Sequence, residues 1–148
     1  MDATLFDDLD VPDGTDLLGP VGPVPITIKE KWQGAVTASS GFVAIPVALL
    51  RLQTHLKLTA TDMVVLANFL AHWWDPERSV YPRSSTIAQR MGVTKRTVQR
   101  STNKMLKKGL IERRFGKDGR RSFQFMPLAE KLSRMIGTSL ATKEVLDA

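Results

Sequence analysis

The chain has 148 residues, a net charge of +6 at pH 7 and no cysteine. That length suits one domain with its own hydrophobic core, and the lack of thiols excludes disulfides and thiolate metal sites. No apolar run approaches the roughly 18 residues of a membrane span, and no basic segment followed by an apolar core opens the chain. We therefore expect neither secretion nor membrane insertion.

The charges are distributed unevenly along the chain. The first 20 residues contain six Asp and neither Lys nor Arg, so the remainder carries +12. Residues 83–121 contain 13 basic residues against two acidic ones, a net charge of +11. Such a concentration is the electrostatic footprint of a protein that binds a polyanion.

Residues 1–40 are expected to form a flexible arm, acidic at first and then rich in Pro and Gly, because no helical or strand periodicity is sustained there. Leu5, Phe6 and Leu9 stand among aspartates, a pattern typical of segments that fold onto a partner. Binding of the arm to a protein partner therefore remains an open alternative. The domain is expected at residues 41–137, followed at 138–148 by a tail or a helix extension.

Two helices are predicted at the start of the domain. Pro46 is placed to open a helix that runs to about Leu56, because proline suits the first helical position. Thr59 and Asp62 have the spacing of a capping box, which predicts a second helix from Thr59 through Trp74. This second helix is apolar on nearly all sides, so we expect it to be the core helix, covered by neighbours all round.

Residues 84–103, SSTIAQRMGVTKRTVQRSTN, have the pattern of two short helices joined by a tight turn. Ser84 is placed to cap the first helix, Ala88 is small where the helices must cross, and Gly92 suits a turn at positive φ. The apolar contacts that hold the pair together are expected from Ile87, Met91, Val93 and Val98.

The second helix of this pair is expected to begin after Thr94, which can cap it, and to end near Lys108, before a left-handed Gly109. Apolar residues at helical spacing mark one face for the core. The opposite face carries side chains that hydrogen-bond to bases and phosphates. The predicted DNA-binding residues of this helix are Thr94, Lys95, Arg96, Gln99, Arg100, Asn103, Lys104 and Lys107.

A β-hairpin, or wing, is predicted from two strands at residues 110–115 and 121–126. A three-residue loop pairs Phe115 with Arg121 and Arg113 with Phe123, which puts the apolar residues of the hairpin on one face. A two-residue turn would split them between both faces. The predicted DNA-binding residues of the wing and its flanks are Arg83, Ser84, Arg114, Lys117, Arg120 and Arg121.

A last helix is predicted to open at Pro127, and its apolar residues recur at helical spacing until Gly137. This stripe either covers the core or pairs with a second subunit, so a homodimer stays open. Its members are Leu128, Leu132, Met135 and Ile136.

Three segments, TATDMVVLANFLAHWW, YPRSSTIAQRMGVTKRTVQR and MLKKGLIERR, together resemble the winged helix-turn-helix domain of bacterial, plasmid and phage DNA-binding regulators and replication initiators. The resemblance covers about residues 56–126 and implies a mostly α fold with a small β-hairpin. It implies that residues 94–108 enter the major groove of double-stranded DNA and that residues 112–125 lie on flanking DNA. Ser101 departs from the family pattern, in which many relatives have an apolar residue.

We expect a sequence-specific double-stranded DNA-binding protein of the bacterial cytoplasm and nucleoid. A transcriptional regulator acting as a repressor is favoured, because the chain leaves no room for the second domain that replication initiators of this type usually carry. A plasmid or phage replication or partition protein that binds origin repeats is the alternative. A winged-helix protein-interaction adaptor is a third reading, against which the basic face argues.

No enzymatic activity, cofactor or metal ion is expected. A glycine-rich phosphate loop, a cluster of metal ligands and a nucleophile with a histidine base are all missing from the sequence. His55 and His72 lie far apart and without neighbouring ligands, so each is expected at a helix surface or at the edge of the core.

Overall fold

The computed structural model describes residues 24–37, 40–73, 83–115 and 121–147. In this part of the chain the fold is mostly helical, with one two-stranded antiparallel sheet, as the sequence predicts. In chain order the elements are α1 (Ile26–Trp32), a 3₁₀ turn (Gln33–Ala35), α2 (Val47–Leu52), α3 (Ala60–Leu70), α4 (Ser84–Met91), α5 (Lys95–Lys107), β1 (Glu112–Phe115), β2 (Arg121–Gln124) and α6 (Met126–Asp147).

The hydrophobic core is built around α3, the predicted core helix. Val65, Leu66 and Phe69 of this helix are buried, and they pack with buried residues from α2, α4, α5 and α6. The expectation that α3 is covered all round is wrong at Val64, whose side chain is 47% exposed. One flank of α3 therefore faces solvent.

Aromatic rings connect α3 to the hairpin. The ring centroids of Phe69 and Phe123 are 5.7 Å apart in a stacked pair, and Phe125 lies 6.1 Å from Phe69. Trp73, just after α3, tilts against Phe125 with a centroid separation of 5.7 Å. These separations are typical of favourable aromatic pairs, so the hairpin is held to the core by rings as well as by its neighbours in sequence.

The first two predicted helices are present with shorter bounds. The capping box of α3 is confirmed, because the Thr59 hydroxyl accepts from the Asp62 amide at 3.1 Å and the Asp62 carboxylate accepts from the Thr59 amide at 2.9 Å. Pro46 flanks α2 as its N-cap, not as its first residue. α2 ends at Leu52, before the predicted Leu56, because residues 53–57 form turns.

α1 lies within the segment that was expected to be an arm without regular structure. That expectation is wrong for residues 26–35, which form α1 and the 3₁₀ turn. No residue of α1 is buried, and Ile26 and Trp32 expose large apolar side chains. A helix of seven residues is too short to show a periodicity in the sequence. Residues 1–23, including the aspartate-rich stretch, lie outside the described residues.

α6 covers the core with the first part of its apolar stripe. Leu128 and Leu132 are buried and Met135 packs against the core, whereas Ile136 is exposed. The helix continues through Gly137 to Asp147, so of the two alternatives for the segment after Gly137 the structure shows the helix extension. Over the first turns of α6, the apolar stripe therefore packs against the core of its own chain.

Burial predicts how strongly two phenylalanines of the hairpin contribute to stability. Phe125 is fully buried, while Phe115 is 66% exposed. We expect Phe125→Ala to lower the free energy of unfolding by about 3 to 5 kcal/mol, because it leaves a cavity beside Phe69. Phe115→Ala should cost less than about 1 kcal/mol. Urea denaturation measures both variants, and equal losses would contradict this packing.

Candidate nucleic-acid interface

The turn between α4 and α5 has the geometry predicted from its glycine. Gly92 adopts φ 68° and ψ 32°, the left-handed conformation. Its amide donates to the Gln89 carbonyl at 3.2 Å, and the Val93 amide donates to the Ala88 carbonyl at 3.0 Å. These bonds satisfy the last carbonyl groups of α4 and turn the chain sharply into α5.

α5 begins with the predicted threonine cap. The Thr94 hydroxyl accepts a hydrogen bond from the Thr97 amide at 3.2 Å. Lys95 and Arg96 follow at once in the first turn, and both are exposed. Cations at this end oppose the helix dipole by about 0.3 to 1 kcal/mol, so the stability of the helix does not explain them.

The contacts between α4 and α5 come mainly from the residues that the sequence singles out. Ile87 and Ala88 of α4 and Val98 of α5 are buried, and Met91 packs against the same core. Val93 is the exception, because its position in the turn leaves its side chain exposed. Val93 is therefore not among the buried residues that join the two helices.

The start of α4 differs from the prediction. Ser84 is the first residue of the helix and does not cap it; the N-cap is Arg83, which has an extended backbone and no side-chain cap. Arg83 is exposed and Ser84 is half-buried. Both residues are still placed at an accessible end of the helix pair.

The outer face of α5 carries most of the predicted DNA-binding residues. An open groove of about 630 Å³ lies along the C-terminal half of this face. Lys108 also lines it and is not among the residues predicted to bind DNA; the signal for it in the sequence is its position in the basic pair Lys107–Lys108. The exposed members of the face are Lys95, Arg96, Gln99, Arg100, Asn103 and Lys107.

Lys104 differs from the other basic residues of α5. Its Nζ atom donates to Oδ2 of Asp62 in α3 at 2.6 Å. The Lys104 side chain is 35% exposed and that of Asp62 only 5%. The structure thus pairs a residue that was predicted to bind DNA with a buried carboxylate of its own chain.

The carboxylate of Asp62 gathers donors from two helices. Oδ1 accepts from the Ser101 hydroxyl at 2.7 Å, and Oδ2 accepts from the Thr59 amide as well as from Lys104. Burial raises the pKa of Asp62, but the hydrogen bonds from Lys104, Thr59 and Ser101 together leave the pKa below its ordinary value of 3.8. Ser101, the departure from the family pattern, is therefore explained, since an apolar residue would remove one of these donors.

The hairpin has the predicted register. Phe115 pairs with Arg121 and Arg113 with Phe123. β1 is exposed along its whole length, and Arg114 lies 3.5 Å from Glu112 in a surface ion pair. The predicted loop, with Lys117 and Arg120, lies outside the described residues, as does the side chain of Arg121.

Metal ligands do not cluster in the described ranges. Within residues 24–37, 40–73, 83–115 and 121–147, no three His, Asp or Glu side chains come together in a way that could hold a metal ion. His55 is exposed. None of the helices in these ranges has the length and apolar character needed to cross a membrane.

The lowered pKa of Asp62 predicts a contribution to stability that depends on pH. A carboxyl group whose pKa is lower in the folded state stabilises the fold above the unfolded value, and this contribution disappears as pH falls through the folded value, below 3.8. Asp62→Asn should lose about 1 to 3 kcal/mol of unfolding free energy at neutral pH. The unfolding free energy of the Asp62→Asn variant should then fall less than that of the wild type as the pH is lowered.

Denaturant titrations at several pH values between about 6 and 2 measure this difference. Glu112→Gln is the matched control, because Glu112 is an exposed carboxylate in a surface pair, which contributes little. A wild type and an Asp62→Asn variant that lose stability in parallel would contradict the assignment.

Comparisons with known proteins agree with this architecture. The family model of the DnaD N-terminal domain matches residues 45–144. The crystal structure of the N-terminal domain of DnaD from Geobacillus kaustophilus is similar with a TM-score of 0.58 and 21% identity, covering 82% of this chain and 98% of that one. Similarity at this identity concerns the fold.

A possible transcriptional regulator from Methanosarcina mazei is similar with a TM-score of 0.41 and 20% identity, covering 65% of this chain and 81% of that one. No curated protein matches. The resemblance drawn from the sequence did not single out the DnaD family. Because the family model covers more than half of the chain, this protein belongs to the DnaD N-terminal domain family.

Proposed function

We propose that this protein binds double-stranded DNA, with α4 and α5 as the helix pair and β1–β2 as the wing of a winged helix-turn-helix domain. The observation that supports this most is the outer face of α5. Among the residues that the structure describes, none forms an ion pair with Arg96, Arg100 or Lys107. Exposed cations that no described carboxylate neutralises contribute little to the fold, and they favour an anionic ligand.

The geometry of α5 suits the major groove. That groove is about 12 Å wide and admits a helix whose exposed side chains point to base edges. Arg100 and Asn103 are in the middle of the exposed face, and these residue types pair with guanine and adenine respectively. Arg96 and Lys107, towards the two ends, are proposed to contact phosphates, together with Lys95 and the free amides of the first turn.

The flanks of the helix pair are proposed to hold the neighbouring DNA. Arg83 at the start of α4 and Arg114 on β1 are exposed. On the basis of the sequence alone, we extend this proposal to the tip of the wing, where Lys117, Arg120 and Arg121 lie in the chain. All of these groups would contact the backbone or the minor groove, so they would add affinity more than base preference.

We assign this binding to the initiation of DNA replication, the process in which DnaD acts, and not to repression. Family membership supports this choice. Chain length, on which the expectation of a repressor depends, does not distinguish the two roles. The proposed role is binding without catalysis, and a homodimer would present two copies of α5 to repeated half-sites.

Selection of bound duplexes from fragmented DNA of the host replicon tests this role. Repeated sites recovered at an origin of replication would support initiation. Sites recovered only at promoters would reverse the assignment in favour of a regulator. If no sequence were enriched, the protein would bind DNA without sequence preference. The spacing and symmetry of recovered sites also measure whether one or two subunits bind.

Two substitutions on α5 should separate base contacts from phosphate contacts. Arg100→Ala should cost about 1 to 3 kcal/mol on the selected site and less on a scrambled duplex, because it removes a base contact. Lys107→Ala should weaken both duplexes similarly and lower the slope of log K against log salt concentration by about 0.9. Fluorescence anisotropy at several salt concentrations measures both effects.

Arg51→Ala is the control for these variants. Arg51 is an exposed arginine on α2, outside the helix pair. It should change neither the affinity nor the salt slope appreciably. If Arg100→Ala weakened both duplexes equally, the assignment of Arg100 to base contacts would be wrong.

A further inference from the structure

A buried polar cluster lies directly beneath the basic face of α5. It consists of Asp62, Ser101 and Lys104, and connects the start of α3 to the middle of α5 across 39 and 42 residues of sequence. Asp62 and Ser101 are both buried. Among the described residues this carboxylate is thus the polar link between the core helix and the helix proposed to enter DNA.

The spacing of the cluster determines what it can fix. Ser101 and Lys104 are three residues apart on α5, so both project from the same side of the helix. They bind different oxygens of one carboxylate, at 2.7 Å and 2.6 Å. Together with the buried Val98 and Met105, two such bonds restrain the rotation of α5 about its axis and its position along that axis more tightly than either bond alone.

The carboxylate is itself held in place by α3. Asp62 belongs to the capping box, in which its Oδ2 atom accepts from the Thr59 amide at 2.9 Å. The side chain therefore cannot follow α5 if that helix rotates. Arg100 and Asn103 lie within one turn of Ser101, so the angle at which they meet a base depends on the same restraint.

Lys104 takes part in this restraint at the expense of phosphate binding. It lines the groove with Arg100 and Lys107, where its sequence position predicts a phosphate contact. Moving its Nζ atom to a phosphate would remove the cationic partner of a carboxylate whose side chain is 5% exposed. An unpaired buried charge is strongly unfavourable, so the ion pair should persist when DNA binds.

We propose that Asp62 is a positioning residue for α5: through Ser101 and Lys104 it sets the angle at which Arg100 and Asn103 meet the bases, and Lys104 does not bind phosphate. This inference rests on the proposed function. A cluster that only stabilises the fold would change the unfolding free energy when altered, without changing base preference in the folded protein.

Salt dependence tests the role of Lys104. Full-length wild type, Lys104→Met and Lys107→Met are titrated onto one duplex between about 50 and 200 mM salt. We expect Lys107→Met to lower the slope by about 0.9 and Lys104→Met to leave it unchanged within about 0.3. An equal fall in both variants would overturn the proposal. Should Lys104→Met fail to fold, Asp62→Asn/Lys104→Met, which removes both charges, replaces it.

Base preference tests the positioning role with a pair of hydroxyl variants on the same helix. Ser101→Ala removes the bond to Asp62, whereas Thr102→Val removes a buried bond that stays within α5, from the Thr102 hydroxyl to the Val98 carbonyl at 2.9 Å. Ser101→Ala should lower the ratio of affinities for the selected and scrambled duplexes by about 3- to 10-fold. Thr102→Val should leave that ratio unchanged.

The outcomes separate this inference from the proposed function. If the wild type captures no duplex, DNA binding itself is wrong. If the wild type prefers its site and the two hydroxyl variants keep the same ratio, or lose it equally, DNA binding stands and the positioning role fails. A wild type that binds every duplex equally also contradicts the positioning role, because no base is then distinguished. Circular dichroism at the assay temperature verifies that each variant is folded.

Discussion

The ion pair between Asp62 and Lys104 determines which side of α5 faces outwards. A carboxylate whose side chain is only 5% exposed requires donors, and two of the three that the described residues supply come from α5. Val98 and Met105 hold the apolar side of the same helix in the core. Between these polar and apolar contacts, only one face remains accessible to a ligand. The sequence determines that this face is basic, whereas the packing of α5 determines that the face points to solvent.

Local signals in the sequence predict much of the fold. The capping box at Thr59, the left-handed turn at Gly92 and the pairing of Arg113 with Phe123 are all present as expected. Each depends on residues close together in the chain or on the alternation of a pleated strand, so the sequence contains the information directly. Helix ends are less well defined, as α2 and α6 illustrate, because packing and turns decide where a helix stops.

Contacts between distant parts of the chain are not visible in local sequence patterns. Helical periodicity puts Lys104 on the polar side of α5, but it contains no information about a partner in α3 that lies 42 residues away. Val93 is apolar yet exposed. In each case the tertiary surroundings, which a pattern of neighbours does not contain, determine the outcome. Biological role is a separate matter: chain length favoured a repressor, whereas the family model that matches is that of the DnaD N-terminal domain.

The conformation of Gly92 has a consequence for natural variation at this position. A methyl group built on its α-carbon would meet no atom within 4 Å, so crowding does not exclude a larger side chain. The restriction comes from the dihedral angle alone, at φ 68°. Asparagine visits this region more readily than other residues with a side chain. Homologues that replace the glycine are therefore expected to carry asparagine before alanine, and β-branched residues least of all.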